Sequence, residues 1–75
     1  MKMINVNDIE MIAGRTNVPY AVKVKNITRT SSLMNKMRHW CEVNFQGDHF
    51  YSRGDFMFTT IAIRDQFVAT FVAER

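Results

Sequence analysis

One cysteine, one proline and three glycines in 75 residues set the first limits on this chain. A lone Cys41 cannot close an internal disulfide, which excludes a stapled secreted mini-protein. So little glycine and proline excludes collagen-like and low-complexity chains. Long apolar runs are missing too. The richest window, residues 61–73, is interrupted by Arg64, Asp65 and Gln66 and falls short of the roughly 18 apolar residues of a membrane span. The start of the sequence lacks the apolar segment of a signal peptide, because Asn5, Asn7 and Asp8 interrupt it. Asn26-Ile27-Thr28 matches a glycosylation acceptor and Arg53-Gly54-Asp55 an integrin-ligand tripeptide, but both matter only outside a cell. The expectation is a cytoplasmic protein with no membrane partner. Charge of one sign is also in short supply. Ten Lys and Arg against seven Asp and Glu leave +3, which permits nucleic acid without demanding it.

What is present is the composition of an ordinary folded chain, 47% hydrophobic and 23% charged. Neither a repeat nor a linker divides it, so residues 1–75 read as a single small globular domain. Near the start, Asn7-Asp8-Ile9-Glu10 has the logic of a capping box, and Ile9, Ile12 and Ala13 follow at helical spacing. With Gly14 as a left-handed stop, this predicts a short N-terminal helix over residues 8–13. Met3, Ile4 and Val6 ahead of it suit a short strand. Asn17-Val18-Pro19 then resets the chain. Residues 20–27 alternate, with Val22 and Val24 on one side and Lys23 and Lys25 on the other, which is a strand with one wet face.

Thr30, Ser31 and Ser32 offer N-caps for a helix over residues 33–45, whose stripe is Leu33, Met34, Met37, Trp40, Cys41 and Phe45. Aromatic runs on either side of Arg53-Gly54 read as a β-hairpin. Residues 60–75 fit either a strand or a helix. The spacing of Ile63, Phe67 and Phe71, with Thr59 or Thr60 as cap, favours helix. The fold class is therefore α+β: a two-layer sandwich in β-α-β-β-α order, with a small sheet and both helices on one face. Trp40 and Cys41 should lie in its core, Trp40 between helix and sheet.

Side chains that carry chemistry are scattered. Cys41 and His39 are two positions apart on a helix and point about 200° away from each other. One cysteine and two histidines, His39 and His49, have no recognised metal-ligand spacing. Gly47 and Gly54 read as turn residues rather than a phosphate cradle. Glu10, Asp48, Asp55, Asp65 and Glu74 form no carboxylate pair. The expectation is no enzyme, no metal and no cofactor.

Binding remains. A sheet face carrying Lys23 and Lys25 beside hairpin aromatics suits a surface that captures a protein, with Tyr51, Phe56 and Phe58 as aromatic anchors. The same basic, aromatic face fits a small RNA- or single-stranded-DNA-binding protein as the alternative. A homodimer through the free sheet face is a third reading.

The segment Trp40-Cys41-Glu42-Val43-Asn44-Phe45, followed by Phe56-Met57-Phe58 and a closing Phe-containing helix, resembles small accessory proteins encoded by large tailed bacteriophages. The likeness covers about residues 25–74. It implies an early protein of the host-takeover type, working inside an infected bacterium by binding and redirecting one host protein. It carries over neither a target nor a binding residue.

Overall fold

The computed structural model describes residues 4–73. The capping-box segment does not make a helix. Strand β1 (Ile4–Asn5) runs into a single 3-10 turn, Val6–Asp8, and then into strand β2 (Ile9–Arg15). Asn5, rather than Asn7, caps the turn, its Oδ1 accepting from the Asn7 N–H at 2.8 Å. The expected helix over residues 8–13 is thus corrected to a strand. A helix there would satisfy only its own backbone, whereas β2 pairs antiparallel with β3 (Val18–Val24) from Ile9↔Val24 to Arg15↔Val18. Gly14 is no helix stop either. A Cβ at this position would stand 1.9 Å from the Val18 carbonyl oxygen, so any residue but glycine requires the two hairpin arms to shift apart. Met3 lies outside the described residues.

Helix α1 spans Ser32–Asn44 and is capped by Ser31, whose Oγ accepts from the Met34 N–H at 3.1 Å. Strands β4 (His49–Ser52) and β5 (Asp55–Phe58) form the hairpin read from Arg53-Gly54. Both turn residues have positive φ, 51° and 86°, the requirement of a type I′ turn that matches strand twist. Helix α2 covers Ile61–Phe71 behind a Thr60 cap. The helical reading of the last segment holds only to Phe71. Val72–Ala73 forms β6, which pairs in parallel with β1 at Ile4↔Val72 and Asn5↔Ala73; Glu74 lies outside the described residues.

The main sheet has the order β2-β3-β5-β4. Strand β5 is antiparallel to both β3 and β4, so those two run parallel and α1 is the crossover between them. The expected β-α-β-β-α run is therefore flanked by β1 and β2 before it and β6 after it. One core joins sheet and helices: Val24, Phe56 and Phe58 meet Met34, Met37 and Cys41 of α1 and Phe67 and Phe71 of α2, closed by Ile4 and Val72. Trp40 is only half-buried. It lies edge-on to Phe67 and Phe71 of α2 and to Phe45, at ring separations of 5.3–5.9 Å, and so seals the seam between the helices rather than the helix–sheet contact. Among the described residues no helix is long and apolar enough to cross a membrane.

Candidate functional site

Cross-strand register decides which side chains share a face. Tyr51 stands opposite Phe56 and Phe56 opposite Val22, while Phe58 stands opposite Tyr20. Tyr51, Phe56 and Phe58 consequently lie on the helix-covered side. Phe56 and Phe58 are buried in the core and closed to a partner. Tyr51 is partly buried, with its ring 4.9 Å from Phe56 and its hydroxyl buried without a hydrogen-bond partner among the described residues.

Lys23 is on the other side and exposed, in a row that reads Glu10, Lys23, Asp55, Ser52 across the four strands. Lys25 lies just past the end of β3 and is half-buried, its N–H donating to the Asp8 carbonyl at 2.7 Å. The five residues singled out from sequence are therefore divided between two faces and do not form one surface.

The helix-free side has its own apolar row: Ile12, Ala21, Met57 and Phe50, one from each strand. Ala21 and Met57 are buried despite having no helix above them. The Arg15 guanidinium sits 4.8 Å from the Phe50 ring centroid, although β2 and β4 are opposite edges of the sheet. Edge strands of a flat four-stranded sheet would be about 14 Å apart; the long Arg15 side chain bridges most of that gap, and the twist of the sheet brings the β2–β3 tip toward β4. Phe50 remains 41% exposed beneath that guanidinium and borders a cleft of about 360 Å³ with residues 15–18.

A second cleft, about 420 Å³, runs between α1 and β4. Its helical wall is Asn35, Arg38, His39 and Glu42, a stripe at spacings of three and four. Its other wall includes His49, Phe50 and Tyr51. The Arg38 guanidinium lies 4.6 Å from the Tyr51 ring centroid. His49 faces a partner at each ring nitrogen. Its Nδ1 is 3.0 Å from the Phe45 carbonyl, to which an N–H there donates, and its Nε2 is 3.5 Å from Glu42, an ion pair only when the ring is protonated.

Cys41 sits on the far side of this helix. Burial, with the Glu42 carboxylate adding to it, pushes its thiol up to about 12, so it stays neutral and unreactive at physiological pH. His39 and Cys41 do not meet, and no cluster of three or more His, Cys, Asp or Glu among the described residues is placed to hold a metal ion.

No family model, curated protein or solved structure matches the chain.

The residues that line these clefts were legible only in part. The alternation of Phe50 with Tyr51 requires one of them to face away from the core. Only the two-residue turn, which sets Tyr51 against Phe56, says that it is Phe50.

Proposed function

We propose that the chain is a non-enzymatic protein-interaction module. Following the resemblance noted above, we propose that it is a phage-encoded modulator or inhibitor whose partner is a host protein in the bacterial cytoplasm. The observation that supports this best is Phe50: a large ring, 41% exposed, clamped by Arg15 and bordering both clefts on an edge strand. A fixed aromatic beside a pocket and an arginine is the composition of an interface anchor, because little side-chain freedom is lost when it is covered. Nucleic-acid binding has less in its favour. The stacking rings Phe56 and Phe58 are in the core, and Lys23 is flanked in its row by Glu10 and Asp55.

The test is capture from nuclease-treated bacterial lysate by the tagged chain and its variants. Phe50→Ala should recover about tenfold less of the partner protein than the unaltered chain, with unchanged circular dichroism. Lys23→Glu should matter less than Phe50→Ala. Equal recovery by Phe50→Ala would remove Phe50 as the anchor. Oligonucleotides recovered only when nuclease is left out would favour the alternative reading.

A further inference from the structure

The edge of β4 is unfinished in a specific way. A two-residue hairpin loop makes its flanking pair, Ser52 and Asp55, a hydrogen-bonded pair, and such pairs alternate along the ladder. Phe50 therefore bonds inward to Met57, and Asp48 inward to Thr59, as the Thr59 N–H to Asp48 carbonyl bond of 3.1 Å shows. By the same alternation, the backbone N–H and C=O of His49 and Tyr51 point away from β5, and no described residue pairs with them. Phe50 and Tyr51 project to opposite faces of the sheet, yet both line the α1–β4 cleft. The cleft therefore wraps this open edge rather than lying on one side of it.

The basic groups lie on the two aromatic rings of the edge and at its turn, while the carboxylates nearby are engaged or set on the neighbouring strand. Arg15 lies over Phe50, Arg38 over Tyr51, and Arg53 forms the exposed turn; of the carboxylates near the edge, Glu42 is turned to His49, Asp48 accepts from the Thr59 hydroxyl at 3.2 Å, and Asp55 stands on the inner strand β5. A second copy of this chain pairing β4 with β4 would set these arginines against their own kind.

We infer that the β4 edge is completed by an extended, acidic segment of a partner protein, which pairs with the backbone of His49 and Tyr51 and places a carboxylate against Arg38. This rests on the reading of the chain as a protein-interaction module and adds its site and mode, strand addition with side-chain recognition by the helix alongside. The backbone supplies bonds that any extended segment can make; Arg38 and its neighbours select the acidic one.

The experiment measures amide hydrogen exchange of the full chain with a capped peptide of about eight residues alternating valine and aspartate, and with its valine–lysine counterpart. The aspartate peptide should slow exchange at His49 and Tyr51 by about tenfold or more at saturation, and the lysine peptide should not. Arg38→Glu should reverse that preference, which also shows that the variant is folded. Unprotected His49 and Tyr51 amides, protection at Met11 and Ala13 on the β2 edge instead, or equal effects of the two peptides would each overturn the inference. If those amides stay unprotected while lysate capture still depends on Phe50, only the β4 pairing falls. If no protein is captured at all, the interaction reading falls with it.

Discussion

Cys41 and Trp40 are neighbours in sequence with opposite fates, and each makes a measurable statement. The folded chain holds the Cys41 proton more tightly than an unfolded chain would, about 12 against an ordinary 9.0. Between those values the folded state binds more protons, so stability is unaffected below pH 9 and falls as pH rises through the window. Denaturant unfolding at pH 8 and pH 10.5 should show a larger alkaline loss for the unaltered chain than for Cys41→Ala, and native thiol labelling should be far slower than in the unfolded chain. Trp40 contributes through three edge-on ring contacts while keeping part of its indole in water. Trp40→Ala should cost about 3 kcal/mol, the low end for loss of a large ring, and native emission should lie between the buried and fully exposed wavelengths. A red-shifted native spectrum matching the unfolded chain would contradict the packing described.

At the scale of elements, α1, α2 and the β4–β5 hairpin were legible because each carries its own local signals. Ser31 and Thr60 cap the helices, apolar stripes follow them, and Arg53-Gly54 supplies two residues at positive φ. Strand β2 was not legible. Its Asn7-to-Glu10 box and its Ile9, Ile12 and Ala13 spacing imitate a helix start, and what overrides them is pairing with β3, a tertiary event that no local window contains. The division of the candidate residues between two faces was hidden for the same reason. Lys23 was rightly placed in water, but the facing of Phe50, Tyr51, Phe56 and Phe58 depends on register, and the twist that brings Arg15 toward Phe50 depends on the whole sheet. Gly14 is where that twist can be tested. Gly14→Ala forces the hairpin arms apart and should destabilise the chain by roughly 1–3 kcal/mol, as other overpacked sites do. It should also loosen the Arg15–Phe50 contact, seen as faster amide exchange along β2 and at Phe50. Unchanged stability would mean that the arms separate freely.

For the whole molecule, the pairing of β1 with β6 has a consequence in time. Ile4 and Val72 are each 1% exposed in the same core and lie almost a chain length apart, so their contact closes the largest loop in the fold. Hairpins and helices form from near neighbours first, which leaves this clasp to form after the main folding barrier. Ile4→Val should therefore cost about 0.5–1.5 kcal/mol and appear as roughly two- to tenfold faster unfolding with little change in refolding rate. A slowed refolding rate would place the clasp in the nucleus instead. On the ribosome the order is sharper still: sheet and helices can assemble as they emerge, but the core stays unlocked until Val72 has left the exit tunnel.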